Sequence, residues 1–107
     1  MPAPPLDAPL PTTGDLMRAL RAQLPMLRSR FGVRRIGLFG SFARAEARQE
    51  SDVDVLIEFE AGEATYDHLY DLHQFLRELF GRNVDVVTSG GLSTYAHPHI
   101  ERDVLWA

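Results

Sequence analysis

Asp52 and Asp54, one residue apart in SDVDVLIEF, are the side chains whose type and spacing most directly suggest chemistry. On a strand, alternate side chains leave the same face, so these two carboxylates project side by side. Neighbouring anions repel unless a cation lies between them, and a hard divalent ion supplies that charge with oxygen ligands. Mg²⁺ is the usual ion, taking one or two carboxylates and completing its octahedron with water and substrate phosphates. The pair thus points to a metal–nucleotide complex, against the plainer reading of strand-end aspartates kept for solubility. Gly40-Ser41 supplies the substrate half. A glycine between a strand and a short helix lets backbone approach a ligand closely, and the first amides of the helix, with the Ser41 hydroxyl, can donate to phosphate oxygens. A serine that merely caps a helix is the simpler alternative. Asp85, in VDVVT, is a third carboxylate. It reaches the same region if its strand neighbours that of Asp54, placed to accept a proton from an incoming hydroxyl or to bind a second metal, and is otherwise a solvent-facing strand residue.

Other polar groups give less. Arg44 could reach a phosphate, although an ion pair with Glu46 or an aspartate is simpler. His68 and His73 are poorly spaced for one helical face. His97 and His99 flank a proline without carboxylate or thiol partners, which reads as a loop and helix cap before it reads as a metal site. Arg44 to Glu50 alternates charge and is most simply a solvated surface. No serine–histidine triad, P-loop or zinc-ligand spacing occurs.

The elements that must hold these groups can be read from periodicity. Residues 1–12, MPAPPLDAPLPT, carry five of the seven prolines and form a disordered or extended tail before a single domain over 13–107. Leu16, Leu20, Leu24, Leu27 and Phe31 recur at helical spacing, with Thr13 and Asp15 at the start, Pro25 as a kink or break and Gly32 as the stop. Val33 to Phe39 reads as a strand, Phe42 to Ala47 as a short helix and Val53 to Phe59 as a second strand, with Val53, Val55 and Ile57 on one face and both aspartates on the other. An amphipathic helix from about Thr65 to Phe80 and a third strand over Val84 to Thr88 follow. His97-Pro98 opens a final short helix to Asp103, and Val104 to Trp106 adds an edge strand. The sum is an α/β fold, a small mixed sheet packed with helices.

Composition narrows the classes. The 107 residues carry 11 basic and 15 acidic side chains, a formal charge of -4, so a nucleic-acid partner is unexpected because gripping phosphate backbones needs a concentrated basic surface. With no cysteine, disulfide scaffolds and thiolate metal sites are excluded, in keeping with a reducing cytoplasm. No apolar run spans a bilayer and no basic-then-apolar leader is present, so a cytoplasmic protein is expected.

The stretch LFGSFARAEARQESDVDVLIEF resembles the core motif of the minimal nucleotidyltransferases (MNT) within the polymerase-beta-like nucleotidyltransferase superfamily. The likeness runs from the helix near Leu16 through NVDVVT to IERDVLWA, and the long gapped pattern is more specific than its parts. The resemblance implies the nucleotidyltransferase fold, a triphosphate-binding turn at Gly40, Ser41 and Arg44, metal ligands at Asp52, Asp54 and Asp85, and Mg²⁺ with ATP as substrate. The implied reaction is in-line attack of an acceptor hydroxyl on the α-phosphorus, with pyrophosphate leaving. It also implies a partner, because members of this length commonly stand beside a helical HEPN toxin as its antitoxin, some transferring AMP to a toxin tyrosine. A non-catalytic antitoxin that works by binding, and a small-molecule (aminoglycoside-type) nucleotidyltransferase whose acceptor site is completed in a homo-oligomer, are the alternatives. One position departs from the family: many relatives have glycine after the arginine, where this chain has Ala45. If φ > 0 is required there, alanine costs about 1 kcal/mol.

Overall fold

The computed structural model describes residues 9–89 and 103–107. The element order is α1 (Thr13–Phe31), β1 (Val33–Phe39), α2 (Gly40–Ala43), β2 (Val53–Phe59), α3 (Tyr66–Phe80), β3 (Val84–Thr88) and β4 (Leu105–Trp106). The strands form one mixed sheet in the order β3-β2-β1-β4. β1 is antiparallel to both β2 and β4, while β2 and β3 are parallel and joined by the α3 crossover.

α1 begins with a reciprocal capping box. Thr12 accepts from the Asp15 amide and the Asp15 carboxylate accepts from the Thr12 amide, both at 3.0 Å. Thr12 is therefore the cap, and the Thr13 hydroxyl instead donates to the Phe42 carbonyl, tying the start of α1 to α2. Leu10, inside the proline-rich stretch, already packs against the core; residues 1–8 of that expected tail lie outside the described residues. Of the two expectations at Pro25, a kink or a break, the break does not occur: α1 runs through it as one helix. Pro25 and Arg21, the residue whose carbonyl loses its partner, are both exposed, so water can satisfy the freed acceptor. Gly32, at φ 70°, ends the helix in the left-handed conformation.

The core lies between one sheet face and the two long helices. Ile36 and Leu38 of β1 and Val53, Val55 and Ile57 of β2 are fully buried against Leu20 and Leu27 of α1 and Leu72 and Leu76 of α3. Phe31 and Phe75 meet with ring centroids 6.0 Å apart where α1 crosses α3. By alternation along β2, Asp54 leaves the face opposite this core. The bounds expected for β1, β2 and β3 match, and α3 starts one residue later than expected because Thr65 caps it. The expected edge strand is β4, on the outer side of β1. The expected helix from His97 to Asp103 lies outside the described residues except for Asp103.

The short helix differs from expectation. It spans Gly40–Ala43, not Phe42 to Ala47. Ala45, at φ 59°, stops it: its amide bonds the Phe42 carbonyl and the Glu46 amide bonds the Ser41 carbonyl at 2.8 Å, the pattern of a Schellman closure. This is the position where many relatives carry glycine, and Ala45 is the only non-glycine residue at positive φ among the described residues. Ala45→Gly should therefore raise stability by about 0.5–1 kcal/mol, the left-handed strain relieved less the extra unfolded-state freedom of glycine. A higher urea midpoint with an unchanged slope is the expected reading.

Candidate functional site

The three aspartates gather at one end of the sheet. In the β2–β3 ladder Asp54 stands directly opposite Asp85, and on the other side Asp54 is opposite Phe39, the last residue of β1. Because β1 runs against β2, its C-terminal end and the Gly40-Ser41 turn arrive where β2 begins. Across the sheet the order is therefore the Gly40-Ser41 turn, Asp54, then Asp85.

Gly40 is fitted to this neighbour. A Cβ placed there would lie 2.0 Å from Asp54 Oδ2, and its φ of +74° is itself left-handed. Only glycine lets the turn sit against the carboxylate. Ser41 is half-buried, and its hydroxyl has no hydrogen-bond partner among the described residues. Arg44 makes the exposed ion pair with Glu46 that the simpler reading expected, at 3.2 Å, and its charge also reaches Asp54. Such a pair contributes little to stability and can be exchanged for another anion.

Asp52 precedes β2 and is held by its surroundings. The Arg48 amide donates to the Ser51 hydroxyl at 2.8 Å, and the Ser51 amide donates to the Arg48 carbonyl at 3.0 Å. Arg82, buried at 6 % exposure, donates to the carbonyls of Gln49 and Ser51 at 3.3 and 3.2 Å and lies over the Phe42 ring. It clamps the Asp52 loop to the start of β3 and to α2 at once. The sequence marks only a turn at Arg82; an arginine two residues before a strand gives no pattern that identifies it as buried. A cleft of about 250 Å³ opens beside Asp52 and Asp85, lined also by His73, Arg77 and Asn83. Weighing the α3 histidines only as a pair hides this, since His73 acts alone: its Nε2 lies 2.7 Å from the Val84 carbonyl. A carbonyl only accepts, so Nε2 carries the proton. His97 and His99 lie outside the described residues.

The electrostatics of the cluster are unfavourable without a cation. Burial pushes the Asp54 carboxyl up to about 6, helped by the charges of Asp85 and Asp52 and by a hydrogen bond with Asp85, with Arg44 alone opposing. The all-oxygen donors suit a hard divalent ion. No group of three or more His, Asp or Glu side chains that could enclose a metal ion occurs among the described residues. Two carboxylates are a donor set that Mg²⁺, which completes its shell from water and phosphate, can use.

The raised carboxyl also sets a pH dependence. Between 3.8, the ordinary value, and about 6, the folded protein holds a proton on Asp54 that the unfolded chain has released, so this group lowers stability as pH rises through that window. The melting-temperature difference between Asp54→Asn and the parent protein, both in chelator, should therefore widen in favour of the variant as pH climbs across the window.

Comparison with known proteins matches residues 20–105 to the nucleotidyltransferase domain model. This chain belongs to the nucleotidyltransferase domain family. The nucleotidyltransferase named protein adenylyltransferase MntA, from Thermococcus cleftensis, is 37% identical over 95 residues, covering 89% of this chain and 95% of its own. A solved structure described as a minimal nucleotidyltransferase superposes with a TM-score of 0.71 at 36% identity, over 88% of this chain and 94% of that one. The toxin–antitoxin MntA–HpeT structure shares the fold, with a TM-score of 0.62 at 19% identity over 89% of this chain and 71% of that chain. The expected mixed α/β nucleotidyltransferase fold is thus the fold found. No helix among the described residues is long and apolar enough to cross a membrane.

Proposed function

We propose that this nucleotidyltransferase is an antitoxin that transfers AMP from ATP to a tyrosine hydroxyl of a helical, HEPN-type toxin, with Mg²⁺ held by Asp52 and Asp54 and with Asp85 beside them as the third carboxylate. The observation that carries the reading is the packing of Gly40 against Asp54 with Asp85 opposite in the ladder, because it sets a phosphate-approachable backbone beside a crowded carboxylate cluster. The name of the Thermococcus relative supports adenylyl transfer to protein, and the MntA–HpeT structure supports a toxin partner. The same acidic balance that argues against nucleic acid suits a protein acceptor.

In this reading the Gly40 and Ser41 amides, which have no intrahelical acceptor, and the Ser41 hydroxyl donate to the phosphates, with Arg44 exchanging Glu46 for a phosphate oxygen. Bound Mg²⁺ supplies positive charge to the phosphate oxygens and the carboxylate cluster. The acceptor oxygen forms a bond to the α-phosphorus as the bond to pyrophosphate breaks, and Asp85, the most exposed of the three carboxylates, takes the hydroxyl proton.

The test is incubation of the chain with α-labelled ATP, Mg²⁺ and the helical protein encoded by the adjacent reading frame. Label on a tyrosine of that protein, lost with chelator and in Asp52→Asn, is the expected result. Neutralisation of the toxin in cells by Asp52→Asn, with no label transferred by the parent chain, would replace the enzyme with an antitoxin that acts by binding alone.

A further inference from the structure

We infer that the groove between α3 and the outer strand β3 is the acceptor subsite, and that it takes a basic, hydroxyl-bearing polypeptide segment. The inference rests on the transfer reaction proposed above and adds where and what the acceptor is. The groove has a volume of about 450 Å³ and is lined by Tyr66, Leu69, Tyr70, His73, Asp85 and Val86, among others. It shares His73, Val84 and Asp85 with the cleft beside Asp52, so the two openings adjoin.

Position argues for an acceptor. In-line displacement puts the entering oxygen and the leaving pyrophosphate on opposite sides of the phosphorus. With the phosphates over the Gly40-Ser41 turn, the pyrophosphate leaves on the β1 side and the hydroxyl must enter across Asp85. The groove lies on that side.

The lining argues for a polypeptide. Tyr66 and Tyr70 are 75% and 65% exposed, the most exposed large hydrophobic side chains among the described residues. They stand one turn apart on α3, whose inner stripe, Leu72 and Leu76, is already fully buried, so packing of this domain does not account for them. Tyrosines carry a large apolar body and a polar tip at low entropic cost, which is why recognition surfaces favour them. His73 is fixed by its bond to the Val84 carbonyl, so that wall is already in place.

Charge argues for a basic segment. An aspartate follows each tyrosine, and Asp67, Asp71 and Glu78 form an exposed acidic stripe along the next face of α3. Lysine or arginine side chains beside the hydroxyl would meet these carboxylates and lie over the tyrosine faces. A nucleobase gains nothing from the stripe, and a polyanion is repelled by it.

Amide NMR of the labelled chain tests this with three probes: a tyrosine-containing peptide rich in lysine, the same peptide with glutamate for lysine, and Mg²⁺ with α,β-methylene-ATP. The basic peptide should shift the amides of Tyr66, Leu69, Tyr70, His73 and Val86, and the acidic peptide should leave them in place. The nucleotide analogue should shift Gly40 to Arg44. Tyr66→Ser with Tyr70→Ser, and separately Asp67→Lys with Asp71→Lys, should each raise the dissociation constant of the basic peptide about tenfold or more. Equal shifts with both peptides, no shift with the basic one, or movement of the groove amides by the nucleotide analogue would each overturn the subsite. Failure of the analogue to shift any amide would instead overturn the transfer reading, while the peptide comparison still reports on the groove.

Discussion

Asp54→Asn should cut label transfer about a thousandfold while making the metal-free protein more stable. The opposite signs follow from one fact, that Asp54 is a carboxylate partly withdrawn from water beside two others. In the proposed transfer its negative charge is required to hold the cation; in the metal-free protein it is a liability. An amide of the same shape removes the repulsion and can donate to Asp85, where the carboxyl must hold a proton to do so. Allowing for the screening of a half-exposed group, the gain at neutral pH is about 1 kcal/mol. Label transfer and chelator-treated melting temperature, measured on one preparation, report both signs. An Asp54→Asn variant that melts lower than its parent in chelator would show that the crowding is relieved some other way.

Gly40→Ala is the second large effect. The added Cβ meets Asp54 Oδ2 at 2.0 Å and Cγ at 2.9 Å, closer than carbon and oxygen atoms can stand. Either the turn retreats or the carboxylate rotates away, and both separate the phosphate side from the aspartates. Displacement on the order of 1 Å costs about a hundredfold in rate, to which left-handed strain adds about 1 kcal/mol or more of destabilisation. Gly62→Ala is the control. Gly62 also has positive φ, 81°, but a Cβ there meets nothing within 4 Å. It should show the backbone strain without the loss of transfer, and label-transfer rates of the two variants separate steric conflict from strain.

Much of this arrangement is legible in the sequence because it rests on short-range patterns. Alternation in VDVLIEF puts both aspartates on one face of β2, and the glycine between strand and helix marks the turn. The family's glycine after Arg44 points to the strained Ala45, whose φ the structure shows. What cannot be read comes from distant contacts. Arg82 is buried by the Phe42 ring and by carbonyls more than thirty residues earlier, and no local pattern carries that information. Propensity alone allows a break at Pro25, yet α1 continues through it as one helix where the packing of Leu20 and Leu27 outweighs one lost hydrogen bond. Alanine propensity likewise overextends α2, whereas the chain must turn back at Ala45 to bring Asp52 to the sheet.

The placement of the aspartates on the sheet face opposite the core has a consequence for how such a chain can change. Val53, Val55 and Ile57 carry β2's share of the core between sheet and helices, while Asp54 leaves the other face of the strand, which it shares with the buried Leu56. Side chains on opposite faces of a strand pack against different neighbours. If the proposed transfer runs on the Asp54 face, turnover can be lost or retuned by substitution there while the core face of the same strand keeps the protein folded and able to bind.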